Sequence, residues 1–522
     1  MSNQIVSVDK IEKSLENNKK ESLKEKQVNK DVKPIIEDIF KYAPSKFIGL
    51  LVNLIVVPIY TSLLTPSQYG LYSISIATLS FLCIIFSDWI GISGLRFFRE
   101  QQLQNKSSDY HGTLISILLI NLSVMFTVTL ICKSLICDFF HIPEKYLYVI
   151  LILILPISLR ALLLQILRAQ IKPIAYSITV ILNQVLTMMF ACFFIMKFNL
   201  KANAILLSMA IVASIIGFIL AFQTRFFKTI KFDHLSFVLF KKLCFYGMPL
   251  AIGHLSMWII TQSNKFILQH YKGSFYNGIS GVAYNLTYSI LLSLLSVFII
   301  AAMPRIIRLY ENGSDVRPVI SKLSGYLICI SLPLIGLISI YANDFVSLMS
   351  NEKFAQASIL IPFLAMSIFF IELAEFTTIQ YHLVNKTYID TIIKFSIGAL
   401  GILLNIILIP KIGLVAIGIA ALSVNILYFI LSLVISMKNL QWIMPVKEIG
   451  IGFSCCIPTV LAMICLKYLN IDGIWQMLIL LCIYYILYYL LNRNVSCNYF
   501  SLTYFSRSIF TYINDFSFII CY

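Results

Sequence analysis

The 522-residue sequence is 59% hydrophobic and only 12% charged, and its mean hydropathy is +0.87. A soluble protein of this length carries about 25% charged residues, so the composition excludes soluble enzyme architectures. The net charge of +16 lies mainly between apolar segments, since residues 1–41 hold nine lysines against eight acids. Positive charge in that position is typical of membrane topology, and we expect no nucleic-acid partner.

The chain begins with a polar segment, residues 1–40, that is rich in Lys, Glu, Asn and Ser. A stretch such as KSLENNKKESLKEKQ has little apolar surface to bury, so we expect a solvated cytoplasmic tail. The segment is also too long and too charged to be the start of a cleaved signal peptide.

Apolar runs of about 20 residues, long enough to cross a bilayer, follow one another from residue 42 to residue 491. They predict fourteen transmembrane helices, at residues 42–64, 71–95, 112–136, 147–168, 173–196, 203–223, 243–267, 279–303, 323–342, 357–382, 389–409, 413–436, 448–467 and 473–491. The loops are short, and no GxxxxGK[ST] motif occurs. We therefore expect a transporter with no nucleotide-binding domain, no cofactor and no enzymatic activity.

Positive charge is unevenly divided between the loops of the two sides. With the N-terminus inside, the cytoplasmic segments beyond residue 41 hold 21 Lys and Arg, Lys394 included, and the opposite side holds nine. The positive-inside rule therefore predicts that both termini are cytoplasmic.

Similar segments recur in the two halves of the chain. The first half reads KYAPSKFIGLL, LLTPSQYGLYSIS and GLRFFRE, and the second reads FYGMPLAIGHL, YKGSFYNGISGVAY and MPRIIRLYE. Gly70 and Arg96 are 26 residues apart, and Gly278 and Arg305 are 27 apart. Six helices separate the copies, so both copies have the same orientation in the membrane.

An all-α polytopic fold of two pseudo-symmetric bundles follows from this repeat. The parallel repeats predict a six-helix bundle at residues 41–235, a second one at residues 236–440, and two extra helices with a cytoplasmic tail at residues 441–522.

Two of these segments resemble a known family. The sequences YTSLLTPSQYGLY, from Tyr60, and GLRFFRE, from Gly94, resemble Wzx-type oligosaccharide flippases of the multidrug/oligosaccharidyl-lipid/polysaccharide exporter superfamily. The segments NKFIL, from Asn264, and GISGVAY, from Gly278, are similar too, although the family often has an acid where Asn264 stands. The resemblance covers roughly residues 40–440.

The resemblance implies a function in surface polysaccharide biosynthesis, such as that of O-antigen. A flippase of this family lies in the bacterial inner membrane and moves undecaprenyl-pyrophosphate-linked glycan from the inner to the outer leaflet. A glycan polymerase and a chain-length regulator are the partners it implies. Two alternatives stay open: a multidrug or metabolite exporter of the same superfamily, and a membrane glycan polymerase.

Arginines are the candidate substrate-binding residues. Arg160 lies deep in the fourth span, and Arg96, Arg99, Arg305 and Arg308 end the repeated helices in an Arg-x-x-Arg pattern. A guanidinium group is always charged and bonds phosphate oxygens in a fork, which suits pyrophosphate. The alternative for the four helix-end arginines is that they only anchor the membrane interface.

Acids and a histidine inside spans are the candidate ion-coupling residues. Glu372 and Glu375 are three residues apart, hence on one helical face, and one of two close carboxylates in low dielectric should hold a proton. Asp88 and His254 are further candidates for binding H⁺ or Na⁺. The alternatives are a structural salt bridge of the acids, for example to Arg160, and a packing role for His254.

Tyrosines and cysteines favour structural interpretations. Tyr69, Tyr72, Tyr271 and Tyr276 lie near span ends, where tyrosine is typical of an interfacial belt, with stacking on sugar as the alternative. The twelve cysteines follow no spacing typical of zinc sites or disulfides, so we interpret them as small packing residues.

Overall fold

The computed structural model describes residues 27–39, 49–104, 106–170, 172–224, 226, 236–384, 386–435, 440–468, 484 and 486. Within these ranges the chain is helical between short turns, and no strand occurs. The predicted all-α polytopic fold class is therefore confirmed.

Sixteen α-helices in this part of the chain are numbered in order. They are α1 (27–39), α2 (Gly49–Leu63), α3 (Pro66–Leu103), α4 (Ser107–Ile131), α5 (Lys133–Phe140), α6 (Glu144–Ala169), α7 (Pro173–Phe198), α8 (Ala202–Gln223), α9 (Phe237–Thr287), α10 (Ser293–Glu311), α11 (Arg317–Ile340), α12 (Ala342–Met349), α13 (Ile361–Leu383), α14 (Thr387–Ile412), α15 (Val415–Val434) and α16 (Val446–Tyr468). A 3₁₀ segment, Glu352–Leu360, precedes α13.

Helices long and apolar enough to cross a membrane number eleven in the described residues. One of them, Phe237–Glu311, is 75 residues long and covers two predicted spans, while α2 corresponds to the first predicted span. Each of the first thirteen predicted spans thus coincides with a helix, and the chain is a multi-pass membrane protein. The fourteenth, 473–491, lies outside the described residues except for two positions, so the total of fourteen stays a prediction.

Local sequence signals explain where helices start and turn. Thr65 caps α3 reciprocally with Gln68, and Pro66 occupies the first helical position, where a missing N–H costs nothing. Gly273 interrupts α9 with φ 78°, a left-handed conformation that glycine adopts without strain. The Asn277 amide donates to Gln269 Oε1 at 3.2 Å across this bend, and the Asn264 amide donates to the Tyr284 hydroxyl. The chain therefore reverses at Gly273 into an antiparallel hairpin.

The chain forms two compact units. The larger unit contains the described residues of 49–296 and 341–435, and its core includes the fully buried Ile74, Leu163 and Ile397. The smaller unit contains residues 27–39, 297–340 and 440–468. The predicted division into bundles at residues 41–235 and 236–440 stays a prediction.

Helix α1 departs from the expected solvated tail. Val32 and Ile35 are 2% and 0% exposed, and Asp38 is ion-paired with Arg305. The reason is a stripe of apolar residues in QVNKDVKPIIEDI, spaced by three or four positions, which the preceding lysine-rich stretch lacks. Solvation of the tail is therefore wrong for residues 27–39.

The internal repeat has a reciprocal contact in the larger unit. A Cβ atom on Gly70 would lie 1.9 Å from the carbonyl oxygen of Ser274, and one on Gly278 would lie 1.9 Å from that of Pro66. Pro66 and Ser274 each precede their glycine by four residues, so the two contacts are equivalent. At this contact a local two-fold axis relates the two copies.

Candidate functional site

The larger unit brings together three predicted residues from three helices. Asp88 lies on α3, Arg160 on α6 and His254 on α9, and Asp88 interacts electrostatically with both of the others. Because ionisable groups inside a membrane are costly and usually face protein or water, this group is the candidate site of the first half.

A π-helical turn, Ile84–Asp88, interrupts α3 and ends at Asp88. Such a turn inserts a residue into the helix and is frequent at functional sites. The Ser87 hydroxyl donates to the Cys83 carbonyl at 3.1 Å, and the Asn121 amide donates to the Phe86 carbonyl at 3.3 Å. These bonds satisfy backbone carbonyls that the altered helical pattern exposes.

The Arg160 guanidinium has a hydrogen-bond donor that no described residue uses. Its Nε atom is enclosed and has no hydrogen-bond partner within the described part of the chain. Gly217 on α8 faces the Arg160 backbone, since a Cβ there would lie in van der Waals contact with the Arg160 Cα at 3.9 Å. A guanidinium in this state can accept an additional anion.

The four helix-end arginines divide between the units. Arg96 and Arg99 are exposed at the end of α3 in the larger unit, where the Arg96 guanidinium lies 5.9 Å from the centre of the Phe97 ring. Arg305 and the exposed Arg308 belong to the smaller unit, where the Arg305 Nε donates to Asp38.

Glu372 is buried on α13, with 4% of its surface exposed, and it interacts electrostatically with Tyr288. Tyr288 begins a second π-turn, Tyr288–Leu292, in the repeat counterpart of α3. In the predicted division into two bundles α13 is the counterpart of α6, so that prediction makes Glu372 the counterpart of Arg160. The first π-turn has Asp88 and Arg160 beside it, and the second has Glu372.

Glu375 belongs to a separate ionic network. Lys394 Nζ lies 3.1 Å from Glu375 and 2.8 Å from Asp390, and the Tyr428 hydroxyl donates to Asp390 at 2.8 Å. Two carboxylates and one ammonium group leave the network one negative charge in excess. The salt-bridge alternative thus describes Glu375, with Lys394 rather than Arg160 as the partner, and Glu372 and Glu375 have different neighbours.

The network contains three residues that sequence reasoning missed: Asp390, Lys394 and Tyr428. Asp390 and Lys394 are an acid and a base four residues apart inside a predicted span, and this spacing is a signal for an ion pair on one helical face. Counting Lys394 as a cytoplasmic loop charge was wrong, because its side chain is only 14% exposed and lies between two acids.

The interfacial-belt prediction is wrong for Tyr69. Its side chain is 1% exposed, it accepts a hydrogen bond from the Asn285 amide at 2.7 Å, and its ring packs on Phe354. Tyr271 and Tyr276 are 42% and 36% exposed, so their belt role stays a prediction. The described residues contain no cluster of three metal-ligating side chains.

The fold is similar to solved structures of transporters. It matches "Lipid II flippase MurJ, inward closed conformation" with a TM-score of 0.69 and 15% identity, covering 87% of this chain and 99% of that chain. It matches an inward-facing multidrug resistance MATE family transporter of the MOP superfamily with a TM-score of 0.60 and 11% identity, covering 74% and 93%. A MOP superfamily transporter from Pyrococcus furiosus gives 0.54 and 14%, covering 78% and 96%. At these identities the similarity establishes the fold.

No curated protein matches the sequence. The family described as polysaccharide biosynthesis protein matches residues 35–310, which is more than half of the chain and covers the first copy of the repeat and the second as far as Tyr310. The chain therefore belongs to the polysaccharide biosynthesis protein family.

Proposed function

We propose that this protein is a flippase for undecaprenyl-pyrophosphate-linked oligosaccharide, acting from the inner to the outer leaflet of the bacterial inner membrane. The family match and the fold shared with a lipid II flippase support a lipid-linked glycan as the substrate class. The observation that carries the proposal is Arg160, a membrane-embedded guanidinium whose Nε has no partner in the described residues.

The chemistry of the pyrophosphate explains why such an arginine is useful. Inserting an arginine in a span costs about 2.5–3.5 kcal/mol. The neighbouring Asp88 offsets part of that cost, and an anionic headgroup that pairs with Arg160 would offset more of it. The fork of the guanidinium bonds two oxygens at once. In this proposal Arg96 and Arg99 attract the headgroup at the inner end of α3, and Arg160 holds it within the membrane.

Cation coupling is the second part of the proposal. Asp88 and His254 lie beside Arg160, and Glu372 and Glu375 lie in the second half. A cation bound to these groups would change the charge that the headgroup meets, and so could drive export. H⁺ and Na⁺ are the two candidates.

The proposed setting follows the charge distribution and the family. Both termini face the cytoplasm, and the flipped lipid is delivered to a glycan polymerase and a chain-length regulator on the outer side. The protein itself forms and breaks no bond of the glycan.

Complementation tests the substrate site. Arg160→Ala should abolish surface polysaccharide in a flippase-null strain, and Arg160→Lys should retain part of it, because charge is needed and the fork adds geometry. Arg168→Ala, at the exposed end of the same helix, is the matched control and should complement. Normal export by a membrane-inserted Arg160→Ala variant would show that Arg160 is not the phosphate partner.

A multidrug exporter is the second candidate, because the fold also matches MATE family transporters and the spans contain buried acids. It predicts that deleting the gene raises sensitivity to cationic drugs and leaves surface polysaccharide intact. The flippase proposal predicts the reverse pattern.

A further inference from the structure

Helix α1 lies outside every predicted span, yet its Asp38 forms an ion pair with Arg305, a predicted substrate-binding residue. The Arg305 Nε donates to Asp38 Oδ2 at 2.5 Å, and Glu37 adds a further electrostatic attraction. The two side chains are 34% and 20% exposed, so the pair is neither fully solvated nor sealed in the core. An anion from solution or from the membrane surface can therefore reach it.

The internal repeat provides a comparison for this contact. Arg96 is the counterpart of Arg305 in the first half, since each lies 26 or 27 residues after its glycine. Arg96 is exposed, and its guanidinium contacts the Phe97 ring rather than an acid of the described residues. The carboxylate at Arg305 is thus an addition to the repeated pattern, supplied by a segment outside the repeat.

Helix α1 is attached to the smaller unit at both ends. At its start Asn29 accepts a hydrogen bond from Lys322 of α11, and at its end Asp38 pairs with Arg305 of α10. Val32 and Ile35 are buried between these two contacts. The contacts at Asn29 and Asp38 thus lie at opposite ends of a helix of thirteen residues, which is about half the length of a membrane span.

We propose that α1 is an internal competitor for an anion site at Arg305, and that a phosphate-bearing lipid headgroup displaces it. The Asp38 carboxylate is paired with the Arg305 guanidinium while no substrate is present. This inference rests on the proposed function for the identity of the lipid, but the anion site and the displacement can be tested without glycan transport.

The chemistry of the two anions sets the direction of the exchange. Asp38 offers one oxygen to the Nε atom, whereas a diphosphate carries more charge and more oxygens and can engage the guanidinium fork from two sides. Because α1 is part of the same chain, its carboxylate competes at a high effective concentration. Helix α1 therefore sets the substrate concentration at which the site fills.

Kinetics in proteoliposomes test the competition. Asp38→Asn keeps the size of the side chain and removes its charge, so the KM for undecaprenyl-diphosphate-linked glycan should fall about fivefold while kcat stays the same. Asp31→Asn removes the same charge from a half-buried position of the same helix, where the carboxylate accepts from the Gln27 amide and does not pair with Arg305, and it should change neither value. An unchanged or higher KM for Asp38→Asn would overturn the proposal, as would a loss of kcat with a lowered Tm, which is the result for a structural anchor.

Cross-linking tests the displacement directly, with inorganic pyrophosphate and undecaprenyl diphosphate as probes. In an Asn29→Cys/Lys322→Cys variant of the full chain, a short bis-maleimide reagent should cross-link the two thiols and hold α1 in place, because the long Lys322 side chain bridges a gap that a direct disulfide would not. The two single substitutions control for the twelve native cysteines. Either probe should lower the yield of this cross-link at least threefold, and Arg305→Gln should abolish that effect. A yield that neither probe changes would overturn the proposal.

The two ligands and the two proposals give different patterns. A response to undecaprenyl diphosphate alone places the site at the membrane surface, and a response to both supports a general phosphate site. If the probes release α1 but the purified protein moves no glycan lipid, the anion site stands and the proposed function fails. If glycan transport continues at full rate with α1 cross-linked, the proposed function stands and the competition fails.

Discussion

Lys394 lies 2.8 Å from Asp390, one turn earlier on the same helix, and the same ammonium group reaches Glu375 on a neighbouring helix at 3.1 Å. One lysine thus joins α13 and α14, and Tyr428 adds α15 through its bond to Asp390. In a membrane interior, where water cannot replace a lost partner, such a network holds the three helices in register.

Removing the lysine should destabilise the protein strongly. Lys394→Met leaves two carboxylates close together without a cation, and we expect a loss of about 3 kcal/mol in the free energy of unfolding. Thermal unfolding in detergent measures it. Lys411→Met, at the exposed end of the same helix, is the control and should change little.

A double substitution separates charge balance from packing. Lys394→Met with Asp390→Asn restores the single excess negative charge of the network, so it should be more stable than Lys394→Met alone. Additive losses from the two changes would mean that the residues are not coupled.

The two glutamates of α13 should differ when each is changed to glutamine. Glu372→Gln keeps volume and hydrogen bonding but cannot exchange a proton, so we expect near-normal thermal stability and no transport. Glu375→Gln also takes a negative charge from Lys394, so it should lower the unfolding temperature as well.

Vesicles with an imposed pH or sodium gradient measure the transport of these variants, with Glu372→Asp as the conservative control that retains some activity. Transport that ignores both gradients and survives both glutamine substitutions would leave these acids with a structural role and the protein as a downhill flippase.

A methyl group at either repeat glycine should disturb both copies. Gly70→Ala and Gly278→Ala each place a carbon 1.9 Å from a backbone oxygen, and the required backbone shift should cost about 1–3 kcal/mol. The two losses should be similar because the contacts are equivalent. Gly450→Ala, where no atom lies within 4 Å of the added carbon, should be neutral; an equal effect there would show that the glycine contact is not the cause.

Reporter fusions test the proposed topology. A cytoplasm-active reporter placed after Leu235 or Asn492 should be active, and one placed after Ser67 or Tyr271 should be inactive, as the loop charges indicate. Activity in the opposite pattern at Asn492 alone would reveal an error in the number of C-terminal spans.

The sequence was sufficient to predict most helices, because a bilayer requires a long apolar run for each of them. It was also sufficient to detect the repeat, because the distance along the chain from Gly70 to Arg96 is nearly the same as that from Gly278 to Arg305. Helix α1 was missed because its apolar residues are few and lie next to a lysine-rich stretch.

Side-chain partners were much harder to predict, because hydropathy does not say which neighbour a helix face meets. Tyr69 has the sequence position of an interfacial residue, but the approach of α3 to the second arm of α9 encloses it against Asn285. The same limit explains why Glu375 could be recognised as an ion-pair candidate while its partner could not.

The glycine contact also limits how the duplicated halves can diverge. At Gly70 and Gly278 the space for a side chain is filled by the backbone of the other copy, and a backbone carbonyl cannot be made smaller by mutation. No substitution at one position can therefore compensate for a side chain at the other, whereas a pair of packed side chains can exchange large for small. We expect homologues with this packing to keep both glycines while the arginines and acids around them vary with the cargo.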